Sequence, residues 1–371
     1  MGKIEATRKP TRDYRALSES PWTFWDSVFM RRSCRKYQKG ALAPEFPAEL
    51  DEFLLLAAKV RAAGPGSIIA VTEPEVGARL RHRLHKGLAN KINLWMALSP
   101  VNAFLVMVVP EDDVRGGRPR QVPKAAMALE DCTLWLTERG LGTCWLGGVN
   151  AEEIKDELNL DASLTVPIAV CFGTPRDAVA ILSYDNILRN AQSKRRKPLP
   201  AIACIETLEE SYRPEDLDPG VFAASAVQDI PGLLRMLDDG RADGDAPLDL
   251  VIEACLEAAR LAPSGGNIQG WHFVVVKDAG KLENLAGACH AGATWRAAVV
   301  AAGRSKAYMA GLLDKPFWMI DVPIALSHMS LMAASMGCGA RVFVEDIDEE
   351  AINNLVLAKD DVRTVGVLGI S

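Results

Sequence analysis

LDLVIEACLEAARLAPSGGNIQGWHFVVV, residues 248–276, and PAELDEFLLLAAKVRAAGPGSIIAV, residues 47–71, are two versions of one pattern. In each, apolar residues recur at helical spacing, a Gly/Pro turn follows, and a β-branched run of strand length closes the segment. AlaPro precedes both, at 43–44 and at 246–247. The likeness continues downstream. AMALEDCTLWLTERGLGTCWLGG (126–148) parallels ALSHMSLMAASMGCGARVF (325–343), and VPIAVCFGTP (166–175) parallels VRTVGVLGIS (362–371). The offset drifts from 203 to 196 residues along the chain, as duplication followed by short insertions and deletions would leave it.

Each repeat reads as helix, turn, strand, a variable stretch, a long helix ending at glycine, and a final buried strand. Two such repeats predict an α+β chain, a sheet-and-helix sandwich made twice. Residues 201–245, containing PEDLDPG and LDDGRADGDAP, are acidic and rich in Gly and Pro. They read as a surface linker with little helix. The expected organisation is a first repeat over 22–200, the linker over 201–245, and a second repeat over 246–371.

Composition narrows the function classes. With 371 residues, 49% of them hydrophobic and 24% charged, the chain is long and apolar enough for two buried cores, which excludes a disordered protein or a disulfide-stapled miniprotein. The eight cysteines never form CxxC, so neither a zinc site nor a redox dithiol is signalled. Reduced thiols and a cytoplasmic location are expected. The longest strongly apolar stretch, Val101 to Val109, is about half of what a membrane-spanning helix needs, and the charged N-terminus lacks the apolar core of a signal peptide. The net charge of −6 divides into +6 over residues 1–200 and −12 over 201–371. That excess is too thin for a nucleic-acid surface and fits a small anionic ligand held by the first half.

Two cation clusters could hold such a ligand. Arg31-Arg32-Ser33-Cys34-Arg35-Lys36 packs four cations and a hydroxyl into six residues, and guanidinium groups make strong, often bidentate bonds to phosphate. Lys194-Arg195-Arg196-Lys197 is the second cluster. Either could instead be a solvated end. GLGTCWLGG (140–148) sets four glycines around Cys144, Trp145 and Leu146, allowing backbone N–H groups at Gly147 and Gly148 to approach a flat ligand, or simply capping a helix. PSGGNIQGW (263–271) carries Asn267 and Gln269 and has the same two readings. Neither loop matches GxGxxG or a Walker A sequence, so a dinucleotide fold or an NTPase is not supported. The five histidines read as solvated or structural.

Taken together and in this order, RRSCRKY, GLGTCWLGG, PSGGNIQGW and SKRRKPL resemble the FMN-dependent nitroreductase family over about residues 22–200 and 245–371. Members of that family are homodimers with FMN at the subunit interface. The resemblance therefore implies a dimer fused into one polypeptide, acting as a monomeric pseudo-dimer. It assigns Arg31, Ser33 and Arg35, with Arg32 among them, to the phosphate, ribityl chain and pyrimidine edge, and Lys194 and Arg196 to the phosphate. Leu146 and Gly147 take the positions whose backbone N–H groups approach flavin N5 and O4, with Cys144 as a packing residue. Pro263, Ser264, Gly265 and Asn267 match the Pro-Ser-Ser-x-Asn loop beside the flavin ring. Asn93 aligns with a pyrimidine-binding asparagine.

The departures from the family pattern matter as much. The first repeat has AAGPGSIIAV where its own Pro-Ser-Ser-x-Asn loop belongs, and the second has DIPGLLR where Arg-x-Ser-x-Arg belongs. One FMN per chain is expected. The implied activity is NAD(P)H oxidation through flavin N5 with ping-pong transfer to a nitro, quinone or similar small acceptor, with Arg35 stabilising the reduced flavin. A dehydrogenase, a dehalogenase, a flavin-consuming enzyme and an FMN-free binding pseudoenzyme are the alternatives. Residues 75–100 and 281–318 are the candidate cover of the site. No nucleic-acid or membrane partner and no metal are expected.

Overall fold

The computed structural model describes residues 12–17, 20, 22–40, 42–84, 93, 95–115, 119–176, 196–214, 224–292, 294–304, 317–358 and 361–371. The first half runs α1 (Phe24–Met30), α2 (Phe46–Val60), β1 (Ile68–Val71), α3 (Pro74–Leu84), β2 (Ala103–Met107), β3 (Val109–Pro110), α4 (Glu111–Arg115), α5 (Gln121–Glu138), β4 (Gly142–Leu146), α6 (Ala151–Leu158), β5 (Leu164–Thr165) and β6 (Ala169–Gly173). The second half runs β7 (Ala203–Ile205), α7 (Ile230–Asp239), α8 (Leu248–Leu261), β8 (Trp271–Val276), α9 (Ala279–Ala288), β9 (Ala297–Arg304), α10 (Trp318–Ser335), β10 (Ala340–Phe343), α11 (Glu349–Leu355) and β11 (Val362–Ile370).

The helices follow their apolar spacing. On α2, Phe46, Leu50, Phe53 and Ala57 form one buried stripe, and Pro47 occupies the first turn, where its missing N–H costs no helical bond. Helices α5 and α10 have no wet face. Val122 to Leu136 are all buried on the first and Trp318 to Ser335 on the second, as expected of helices enclosed on all sides.

The four-stranded sheet has the order β1-β2-β6-β4 and is antiparallel throughout, with Ile68 opposite Met107, Ala103 opposite Phe172 and Gly142 opposite Gly173. The five-stranded sheet has the order β10-β11-β9-β8-β7. With β8, β9, β11 and β10 set against β1, β2, β6 and β4, the two orders are the same, and the helices between equivalent strands also correspond. The tandem repeat is therefore legible in the topology as well as in the sequence. The extra strand, β7, joins β8 in parallel, pairing Ala203 with Phe273.

The chain divides into two compact units. One holds residues 30–193 with 309–315, and the other holds 1–29, 194–308 and 316–371. The first contains a core of Leu80, Leu84, Phe104, Leu146, Ile154 and their neighbours between sheet and helices. The second contains the matching core around Val274, Leu282, Leu285, Val300 and Ile352.

Residues 201–245 differ from the linker reading. They supply β7 and a ten-residue helix, α7, which packs on α10. Asp229 caps α7 by accepting from Gly232 N, Pro231 sits in its first turn, and Gly240 ends it in the left-handed conformation. Ile230, Leu233, Leu234 and Met236 are its buried side. The acid, proline and glycine that suggest a linker are here the punctuation of a helix. The amide of Phe24 bonds Gln228 Oε1 at 3.3 Å, so α1 belongs with this unit and not with the repeat that follows it in sequence.

Candidate functional site

Within the unit of residues 30–193, the cation segment runs extended against the four-stranded sheet. Ser33 forms a parallel bridge to Thr143, Cys34 N donates to Thr143 O at 2.7 Å, and Gln38 N donates to Thr174 O at 2.9 Å. Glycine at 142 makes this approach possible, because a Cβ there would lie 2.7 Å from both Cβ and Sγ of Cys34. The segment is thus laid beside β4, which ends at Leu146, just before Gly147. Tyr37 anchors its far end, donating to Cys34 O at 2.7 Å.

Arg31 is buried at 3% exposure, and its Nε lies 3.8 Å from Oε1 of the fully buried Glu130 on α5. Burial pulls the Arg31 guanidinium below its ordinary range, and Glu130 opposes that shift. The other oxygen of Glu130 accepts from Thr133 Oγ1 at 2.6 Å and from Trp145 Nε1 at 3.0 Å. One carboxylate thus fixes both an arginine of the cation segment and the indole of the glycine-rich strand. Arg32, Ser33 and Arg35 are half-buried. Thr143 Oγ1, beside Ser33, is buried and makes no hydrogen bond among the described residues. Three guanidinium groups, a hydroxyl and this buried polar atom form a donor set suited to a phosphorylated ligand, so the residues present fit FMN.

Asn93 and Cys144 are both placed by contacts within this unit, and Cys144 packs as the family resemblance implies. Asn93 is buried and donates its side-chain amide to Gly148 O at 2.7 Å, so it braces the end of the glycine-rich strand. Cys144 points its thiol at Trp145 O, 3.7 Å away, as part of the apolar core.

In the other unit, the loop after α8 turns through three left-handed residues, Gly266, Asn267 and Gln269, with φ of 57°, 58° and 53°. Gly265 N donates to Oδ2 of the buried Asp321 at 2.9 Å. Arg196 is buried and donates from Nη1 to Ala262 O at 2.7 Å, just before Pro263. Its neighbour Lys197 donates from Nζ to Gln269 O at 2.7 Å. His272 is driven down to about 4, first by burial and then by Arg304 and Lys197, with Asp361 opposing. Lys194 and parts of the candidate cover, 85–92 and 305–316, lie outside the described residues.

Glu130 and Asp321 are the site neighbours that sequence reading missed, while Lys197, one of the second cation cluster, is tied to the loop by its bonds to Gln269. The adjacent acids Glu130 and Asp131 inside the apolar run of α5 are the available signal, but nothing local points from Glu130 to Arg31 or Trp145. A surface groove lined by Glu209, Tyr212, Asp249 and Lys277 shares no residue with these motifs and lies at the opposite end of β8 from the loop. Among the described residues there is no cluster able to hold a metal ion, and no helix is long and apolar enough to cross a membrane. None of the eight cysteines is in a disulfide.

The sequence profile of the family described as "Nitroreductase family" matches residues 28–174 and 243–318, more than half of the chain and one segment in each repeat. The chain belongs to the nitroreductase family. A protein of Archaeoglobus fulgidus, provisionally named NADH dehydrogenase/NAD(P)H nitroreductase, is 36% identical over 94 residues, which cover 24% of this nitroreductase-family chain and 51% of that protein. The chain thus spans about half the length of that curated relative. Among solved structures, a provisionally named nitroreductase of Thermotoga maritima is 13% identical with a TM-score of 0.40, over 89% of this chain and 94% of that one. An FMN-dependent nitroreductase of Clostridium difficile is 18% identical with a TM-score of 0.33, over 45% and 96% respectively.

Proposed function

We propose that this nitroreductase-family chain is an FMN-dependent oxidoreductase that oxidises NADH or NADPH and reduces a small nitro, quinone or similar acceptor in two separate half-reactions. The observation that carries this reading is the Ser33–Thr143 bridge, which sets a run of cations against the strand leading to Leu146 and Gly147. The NAD(P)H in the name of the Archaeoglobus relative supports the choice of reductant. FMN, when bound, supplies the redox chemistry by accepting a hydride at N5 and passing on two electrons.

The chain's own residues bind and orient. Arg31, Arg32, Ser33 and Arg35 hold the phosphate, ribityl chain and pyrimidine edge, with Lys194 and Arg196 on the phosphate. Backbone N–H groups at Leu146 and Gly147 would bond the reactive edge, and Pro263, Ser264, Gly265 and Asn267 would hold the ring. Arg35 stabilises negative charge on the pyrimidine side, where a fixed cation needs no reorganisation during reaction. One FMN per chain is proposed. The DIPGLLR sequence of the second half opens helix α7 with an acid at its cap and offers no phosphate grip.

Anaerobic rapid mixing tests this reading. The flavin is expected to bleach with NADH or NADPH and to recover with a quinone, and initial-rate plots should give parallel lines. Flavin that neither nucleotide reduces would overturn it.

A further inference from the structure

Gln269 lies just outside the residues assigned to the flavin ring, yet it is the most heavily bonded position of their loop. It is buried at 3% exposure. Its backbone N–H donates to Ser264 Oγ at 3.0 Å, and its side-chain Nε2 donates to Asn267 O at 3.1 Å. Its Oε1 accepts from Lys197 N at 2.8 Å, and its carbonyl accepts from Lys197 Nζ at 2.7 Å. It makes these bonds with φ at 53°, a region that glycine and asparagine enter readily and glutamine does not. A glutamine held there is a strained residue over-determined by its surroundings, a feature that clusters at functional sites.

The consequences fall on the loop. With Gln269 N–H on its oxygen, the Ser264 hydroxyl has its proton left to donate outward. With the Gln269 amide on its carbonyl, Asn267 is fixed in the left-handed turn that carries its side chain. Lys197 closes the arrangement from the opposite side, because its backbone and side chain both end on Gln269. In the cation cluster Lys194–Lys197 the family resemblance assigns Lys194 and Arg196 to the phosphate, whereas Lys197 bonds the loop.

We propose that Gln269 is a positioning residue for the flavin-ring loop and that Lys197 is its clamp. The proposal rests on the FMN reading above, because the loop's ligand is the flavin ring. Gln269→Gly accepts the left-handed backbone without strain and removes only the side-chain bonds. Lys197→Met removes the Nζ donor. Each variant is measured in three ways: hydrogen exchange of amides 264–270 in the ligand-free protein, dissociation constants for FMN and for riboflavin, and thermal midpoint.

The expected result in both variants is about tenfold faster exchange in the loop and about tenfold weaker binding of both flavins, with the thermal midpoint nearly unchanged in Gln269→Gly. Riboflavin matters because it has no phosphate. Weakening of FMN alone in Lys197→Met would mean that the lysine acts on phosphate charge, and would overturn the clamp. Wild-type exchange and wild-type binding in Gln269→Gly would overturn the positioning role. If the wild-type chain binds neither flavin, the FMN reading falls, while the exchange comparison still decides whether Gln269 and Lys197 order the loop.

Discussion

A methyl group at Gly142 probes the contact on which the cofactor reading depends. A Cβ there would stand 2.7 Å from Cβ and Sγ of Cys34 and 3.4 Å from Pro175 Cβ. Ordinary carbon contacts begin at roughly 3.5 Å, so the cation segment and β4 must part by nearly an ångström. The Cys34 N to Thr143 O bond, 2.7 Å long, is the first casualty. Overpacking costs about 1–3 kcal/mol and a lost hydrogen bond about 1 kcal/mol. Gly142→Ala should therefore destabilise the protein by about 2–4 kcal/mol in urea titration. Because the displaced residues are Arg31 to Arg35, FMN affinity should fall about tenfold or more. Cys34→Gly removes both clashing atoms, so the double variant should recover most of the stability and the affinity. Gly142→Ala within about 0.5 kcal/mol of wild type, or a double variant equal to the sum of the singles, would refute the reasoning.

The remaining predictions concern charges. Arg61 and Asp131 form a buried two-bond pair at 2.7 and 2.9 Å. Arg61→Met should cost about 3–5 kcal/mol by stranding the carboxylate, and Arg61→Met/Asp131→Leu should restore most of it in the same urea assay. His272, held down to about 4, stays neutral when folded while its unfolded form takes a proton below its ordinary value near 6.5. Stability should therefore fall as pH drops from 6.5 towards 4, by about 1–2 kcal/mol after allowance for partial exposure, and His272→Gln should flatten that slope. Arg35→Ala should slow flavin reduction and lower the flavin midpoint potential, on the order of 30 mV for a lost contact of this kind. An unchanged potential would remove Arg35 from the electrostatic role.

Local patterns carried far into the fold. The ordered offsets between the halves reappear as matching strand orders in the two sheets, and the long helices read in the paired segments 126–148 and 325–343 are the enclosed helices α5 and α10. Where the reading failed, averaging was the cause. The acid and Gly/Pro content of 201–245 outweighed the ten residues in which Asp229 and Gly240 cap an amphipathic helix. At the site, residue types were legible and partnerships were not. Nothing local tells that Ser33 lies against Thr143, that Glu130 holds both Arg31 and Trp145, or that Asn93 gives its amide to Gly148. Those contacts join residues far apart in sequence, and only folding brings them together. Lys197 is the clearest case, since its charge suggested phosphate while its bonds go to Gln269.

The proposed site holds one flavin per chain. The most direct measurement is an equilibrium titration of the purified protein with FMN, read by flavin fluorescence quenching and by visible absorbance after removal of unbound flavin. Saturation at one FMN per polypeptide, with bleaching of that bound flavin by NADH or NADPH, is the expected result. A protein that remains colourless after exposure to excess FMN would contradict it.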